Sequence, residues 1–305
     1  MKRFFWRLLL FIVPVFLLFL FTEYKLRTID SRYLQKRDGL LINRDSIEIL
    51  VLGNSHADDG INPIFFSKFT YNLANSSQTL LYDDLLVRKY LPLLSKLKYA
   101  LISLDYHSLY LDIPEDRDFL YDYYYDINIK NKIFLKEQFS FFFFVYSPTI
   151  AIDLICKSTN YKLNKGWEGT SNNSIDELSE KRGEISVDFF TNKIYNKIAE
   201  NKQRIILSKL EALIMFLKSK NVTPILISTP CHSYYYSKLD NEIVLKNDVI
   251  INELKIKYHL NYINSLKDRE FNSSDFYNAD HLNSNGARKY SIFLNDTISK
   301  LITNY

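Results

Sequence analysis

Ile47-Glu48-Ile49-Leu50-Val51-Leu52-Gly53-Asn54-Ser55-His56 is the stretch that decides how this 305-residue chain folds. An apolar run this short that stops at Gly-Asn-Ser reads as a buried strand entering a turn. Ser55 then sits where strand meets turn, a place where a hydroxyl can be held exposed and rigid. Outward from it, Thr70–Leu73, Ala100–Leu104, Pro224–Ser228 and Tyr262–Ile263 read as further short buried strands. Between and after them, Ser77–Leu97, Asn201–Lys220, Leu239–Lys257 and Ser284–Leu301 have the length and apolar spacing of helices.

Alternation of this kind predicts an α/β fold, a flavodoxin-like three-layer sandwich of about five parallel strands with helices on both faces. Ligands of such sheets bind outside the carboxyl ends of the strands. Four of the five histidines fall there: His56 after the first strand, His107 after the third, His232 after the fourth and His281 in the loop after the fifth. The exception is His259. The loop holding His281 reads Asn278-Ala279-Asp280-His281-Leu282-Asn283, with Gly286 following. Serine and histidine motifs near opposite ends of the chain would meet at one sheet edge.

The amino terminus is a separate element. Phe4–Thr22 is apolar apart from Arg7, and a helix of that length approaches the thickness of a bilayer core. A cleaved signal peptide is the competing reading, but Phe19-Leu20-Phe21-Thr22-Glu23-Tyr24 lacks the small residues a peptidase needs. An uncleaved transmembrane helix is therefore expected. Basic residues flank it on both sides, so charge orients it only weakly, and a short inner tail with a long outer domain is the expectation. The division that follows is an anchor at 1–24, a polar connector at 25–46 and an α/β domain at 47–305.

Between about 108 and 200 the alternation fails. Tyr121-Asp122-Tyr123-Tyr124-Tyr125-Asp126, Phe139–Tyr146 and Lys165-Gly166-Trp167-Glu168-Gly169-Thr170 mark an aromatic, irregular insertion. It reads as a packed subdomain core, a lid, or a surface lying against a membrane or partner. With 47% hydrophobic and 15% aromatic residues the chain is not disordered. Of its net charge of +4, Lys2, Arg3 and Arg7 supply three, so the remainder has little excess charge and nucleic-acid binding is not expected. Cys156 and Cys231 form no metal-type spacing; they pair once or are buried thiols.

Gly-Asn-Ser-His together with Asn-Ala-Asp-His-Leu-Asn-x-x-Gly-Ala resembles the SGNH (GDSL-type) hydrolase superfamily, over residues 47–105 and 222–301. The anchor is similar to that of membrane-tethered branches resembling alginate O-acetyltransferases and the D-alanyl transfer protein of teichoic acid synthesis. The resemblance implies Ser55 as nucleophile and His281 as general base. Two departures stand out. The family's Asp three residues before the catalytic His is here Asn278, a catalytic candidate that can hold the ring's orientation but carries no charge; Asp280, the other catalytic candidate, Asp275 or a Ser–His dyad could serve instead. The family's third-block Asn should follow the third strand, where Asp105-Tyr106-His107 stands. The Ser55 amide and Asn75 are the expected oxyanion donors.

His56, His107 and His232 are expected near substrate. With nearby acids they could bind a metal, but no close-spaced ligand motif supports it, so no metal and no cofactor is expected. What the resemblance implies is a membrane-anchored serine acyltransferase or esterase on the extracytoplasmic face. It would act on O-acyl, chiefly acetyl, groups of a cell-envelope polysaccharide. Its partners would be the glycan, an acyl donor and, for a transferase, a multispanning membrane acyltransferase. A noncatalytic SGNH-fold module for surface polysaccharide and a small-ester esterase or lipase are the alternatives.

Overall fold

The computed structural model describes residues 2–111, 118–127, 148, 151–152, 162–176, 178–199 and 201–303. Phe139–Tyr146 and Cys156 lie outside the described residues. The chain divides into two units, Met1–Arg37 with Glu115–Tyr161, and Asp38–Pro114 with Lys162–Tyr305.

The second unit holds a five-stranded, all-parallel sheet: β1 (Ile49–Leu52), β2 (Thr70–Asn72), β3 (Tyr99–Ser103), β4 (Thr223–Ser228) and β5 (Asn261–Asn264), in the order β2-β1-β3-β4-β5. Register is continuous through its centre, with Val51 opposite Leu101 and Leu101 opposite Ile225. Every residue of β1 is buried, as a strand covered on both faces requires. The fold is the expected α/β sandwich, with strand ends moved by one or two residues. Among the helices the largest difference is α4 (Leu80–Tyr90), shorter than the expected 77–97. Ser77 turns with positive φ before it, and Pro92 ends it in a 3-10 turn, Leu91–Leu93.

One face is covered by α3 (Ser55–Gly60) and the carboxyl-terminal helix. Ile49, Val51, Leu101, Ile225 and Ile227 form a core with Ala57 of α3, with Ile61 that caps its carboxyl end, and with Tyr290, Leu294 and Ile298. Each such aliphatic side chain, fully buried, contributes roughly 1.5–3 kcal/mol. On the other face lie α4 and two long helices, Gln203–Ser219 and Asn241–Tyr258. Arg88 of α4 stacks over Phe216 at 4.6 Å, and Lys257 pairs with Glu211 at 3.0 Å, which sets the three side by side. The described part of the insertion contains a 22-residue helix, Leu178–Ala199, where an irregular segment was expected.

The first unit holds α1 (Lys2–Thr28) and the start of α2 (Arg32–Ile42), whose Tyr33 lies among Tyr121, Tyr124 and Tyr125 of α5 (Asp118–Tyr125), with ring centroids 5.7, 6.1 and 6.2 Å away. Arg37 donates to the Tyr124 carbonyl at 2.9 Å. The Tyr121–Asp126 motif is thus a packed aromatic core. Within α1, Lys2–Leu26 is 25 residues containing an 18-residue window of mean hydropathy 2.5, long and apolar enough to cross a membrane, and that window is wholly unburied. A signal sequence has the same properties.

Gly53 is where β1 meets the site. Its φ of +134° and a would-be Cβ 2.6 Å from Ser103 Cβ exclude any side chain. Its N–H donates to Asp83 Oδ1 at 3.2 Å, and Gln78 Nε2 donates to the same oxygen at 2.7 Å. Burial pushes the Asp83 carboxyl up from 3.8 to about 7, partly offset by these donors. A carboxyl that prefers its proton in the folded state loses stability as pH rises from 3.8 towards 7 and regains it on acidification. Asp83→Asn keeps the accepting oxygen and removes the titration. Its stability relative to wild type, read from urea midpoints, is expected to rise by up to about 4 kcal/mol between acid and mildly alkaline pH. A difference independent of pH would contradict the buried, protonated acid.

Candidate active site

Ser55 opens α3 one residue beyond the turn at Gly53-Asn54. Asn54 caps the helix, its Oδ1 accepting from the His56 N–H at 3.0 Å, so the serine is held by a backbone with no freedom to swing. Buried Asn72, at the end of β2, secures α3 from below by donating to the carbonyls of Ala57 at 2.9 Å and Ile61 at 2.8 Å.

The histidine arrives on a tight loop between a 3-10 turn, Ser273–Asp275, and the carboxyl-terminal helix, Ser284–Thr303. Asn283 caps that helix, accepting from the N–H groups of Asn285 and Gly286 at 3.0 Å each, while its amide donates to the Ser274 carbonyl at 2.7 Å. Asn278 Oδ1 accepts from the backbone of both Asp280, 3.1 Å, and His281, 2.8 Å. This Asx turn folds two adjacent side chains onto the same side. On the flank, the His232 N–H donates to the Ala279 carbonyl at 2.9 Å, and Cys231 Sγ lies 3.7 Å from that of Asp280.

The result is a chain of contacts. His281 Nε2 is 2.8 Å from Ser55 Oγ, and His281 Nδ1 is 2.9 Å from Asp280 Oδ1 and 3.2 Å from Asn278 Oδ1. The Asn278 oxygen already accepts two backbone protons, so Asp280 is the effective partner of Nδ1–H. That assignment of the proton leaves Nε2 free to accept from the serine hydroxyl. Asp280 Oδ2 also lies 3.6 Å from His56 Nε2, and His56 Nδ1 is 3.0 Å from Asp105 Oδ1. Asp275 stays away: its carboxylate accepts from the Asn272 N–H at 3.0 Å and pairs with Lys289 at 3.2 Å.

For Asp280, His56 and Asp105, neighbouring charges outweigh burial in setting the titration. Burial alone would raise the Asp280 carboxyl, but the His281 and His56 rings hold it well below the usual range. Burial likewise opposes the charged forms of His56 and Asp105, yet each stabilises the other, and His56 is raised well above 6.5 while Asp105 is lowered from 3.8. His107 behaves oppositely: burial pushes it down to about 4, stacked on Phe190 at 3.9 Å and 3.3 Å from Asn54 Nδ2.

The remaining expected residues fall elsewhere. Asn75 is buried, and its amide protons go to the Leu73 carbonyl at 3.2 Å and Gln78 Oε1 at 3.1 Å, so it donates within its own loop. His232 caps a short helix, Ser233–Tyr236, and its Nε2 is 3.0 Å from Ser273 Oγ. Cys231 is a free, buried thiol. Asp105, Asn72 and Asn54 carry more of the geometry than their types alone suggest. For Asp105 a signal was present, since it stands just past the carboxyl end of β3.

Among the described residues, His56, Asp280 and His281 are grouped closely enough to hold a metal ion. Their four ring nitrogens, however, each face a partner already: Asp105, Asp280 twice, and Ser55. Beside His281, Tyr277 lies 5.6 Å away ring to ring and donates to Asp59 Oδ2 at 2.8 Å. Tyr277 also lines an open polar cleft of about 710 Å³ with Ser171, Asn173, Asp176 and Arg182.

No known family and no curated protein matches the sequence. Among solved structures, the chain resembles the crystal structure of "a putative acylhydrolase" from Bacteroides fragilis NCTC 9343, at 12% identity over 89% of this chain and 98% of that one, with a TM-score of 0.44. So distant a likeness carries no inference about chemistry.

The glycine that follows the histidine loop has a steric reason. A Cβ on Gly286 would lie 2.1 Å from the Asp275 carbonyl oxygen. Gly286→Ala is expected to cost about 3 kcal/mol or more in chemical denaturation. Gly60→Ala, whose Cβ would meet Leu282 and Thr229 side chains at 3.4 and 3.6 Å, is expected to change stability by less than about 1 kcal/mol. Equal effects would show that the close approach at 286 does not hold.

Proposed function

We propose that this chain is a serine acyltransferase or esterase that acts through an acyl-Ser55 intermediate. The observation that carries the reading is the line Ser55–His281–Asp280, with contacts of 2.8 and 2.9 Å. His281 Nε2 takes the proton of Ser55 Oγ as that oxygen bonds to the ester carbonyl carbon. The Ser55 N–H receives the oxyanion. Collapse breaks the bond to the leaving alcohol, which takes the proton from His281. A sugar hydroxyl or water then gives its proton to the same nitrogen and attacks the acyl-serine, and Oγ leaves reprotonated. Asp280 keeps the ring in the tautomer this needs and stabilises the imidazolium formed midway.

The substrate is an O-acyl, chiefly acetyl, ester of a cell-envelope polysaccharide. The polar cleft beside Tyr277 supports a hydroxyl-rich substrate over a lipid. The long apolar Lys2–Leu26 segment supports a membrane-anchored enzyme; in this proposal the α/β domain lies on the extracytoplasmic side, where a cell-envelope glycan is. As a transferase it would draw its acyl group from a multispanning membrane acyltransferase; as an esterase it needs no such partner.

Intact mass after exposure to a fluorophosphonate is expected to show a single adduct, absent in Ser55→Ala and formed at least about 100-fold more slowly in His281→Ala. A folded wild type that takes no adduct, and acquires no acetyl group from p-nitrophenyl acetate, would turn the reading to a noncatalytic polysaccharide-binding module. The same spectra test the anchor. Protein extracted from membranes is expected to retain residues 1–24, whereas a mass lacking them would mark a cleaved signal peptide.

A further inference from the structure

One buried cluster takes no direct part in that chemistry. His56 is buried at 4% exposure and cannot meet substrate, yet it lies between two carboxylates, Nδ1 3.0 Å from Asp105 and Nε2 3.6 Å from Asp280. Its ring centroid is 4.7 Å from that of His281, edge to face. We propose that His56, clamped between Asp105 and Asp280, is a positioning residue that holds the Asp280 carboxylate against His281 and so replaces the acidic side chain absent at Asn278. Its consequence for catalysis rests on Ser55 and His281 acting as proposed; the positioning of Asp280 against His281 does not.

The need for such a clamp follows from the loop. Asp280 is the immediate neighbour of the histidine it must orient, and the Asx turn at Asn278 fixes the backbone but not the carboxylate rotamer. Oδ1 is engaged by His281, and Oδ2, on a side chain only 12% exposed, has His56 Nε2 as its ion-pair partner at 3.6 Å. The ring can donate from both nitrogens only when it is charged, and Asp105 supplies the counter-charge. The groups that face His56 are Asp105 and His107 after β3, Asp280 and His281 before the last helix, Cys231 after β4, and Tyr235. Burial keeps His107, Cys231 and Tyr235 neutral near pH 7, which leaves His56 as the cation between two carboxylates. Its pKa is raised, so the clamp is complete below 6.5 and is lost as pH climbs through the raised value.

The test uses the full-length protein in detergent, with His56→Gln and Asp105→Asn checked for wild-type circular dichroism. Asp105→Asn keeps an accepting oxygen and shape, so it serves if His56→Gln fails to fold. Two readouts are taken across pH: the rate of fluorophosphonate labelling, and the low-field proton resonance of His281 Nδ1–H, assigned by its loss in His281→Ala. Wild-type labelling is expected to fall on the alkaline side as His56 loses its proton. Both variants are expected to label about 10- to 100-fold more slowly, without that alkaline fall, and to lose or shift the resonance. Wild-type rates, pH profile and resonance in both variants would overturn the clamp. So would labelling that a chelator abolishes and zinc restores, since the three side chains would then be holding metal. If wild type does not label while both substitutions still erase the resonance, the acyl-serine reading fails and the clamp stands.

Discussion

With both faces of the parallel sheet covered by helices, its interior accepts only apolar side chains, and polar groups must collect where the strands end. Leu52, Ser103 and Ser228 mark the carboxyl ends of β1, β3 and β4, and just beyond them stand Ser55 and His56, Asp105 and His107, and Cys231 and His232. The requirement to bury the sheet therefore builds the site. Gly53 makes the crowding possible, because any side chain there would strike Ser103.

Once gathered, these groups are shielded from water and must satisfy one another. A buried carboxylate or imidazolium alone would be costly, whereas alternating signs in contact offset much of that cost. Asp105, His56 and Asp280 follow such an alternation, each within 3.6 Å of the next, and the line of contacts continues through the His281 ring at 2.9 Å. It ends at the serine hydroxyl. His107, left outside the alternation, stays neutral and packs as an aromatic ring on Phe190.

The support behind the site is mostly amide chemistry. Asn54, Asn72, Asn278 and Asn283 each use the side-chain amide to accept from or donate to backbone at a turn or cap. None needs charge for this, and that is why Asn278 can stand where an acid was expected: it shapes the loop, and the neighbouring acid carries the charge. Asn75 shows the same habit with a different consequence, since its amide is used up inside its own turn.

The α/β layering, five strands and long apolar amino-terminal segment were legible in the sequence, because local hydrophobic period and run length report burial directly. So was the meeting of the Ser55 and His281 motifs at one sheet edge, since parallel topology places every strand's carboxyl end on the same side. Which side chain orients His281 was not legible: Asn278, Asp280 and Asp275 all stand close to it in sequence. The choice depends on an Asx turn and a capping box, and these fix side-chain direction only once the loop is folded. The placement of Asp105 against His56 was hidden for a related reason. The two are 49 positions apart, and only the pairing of β1 with β3 brings them together.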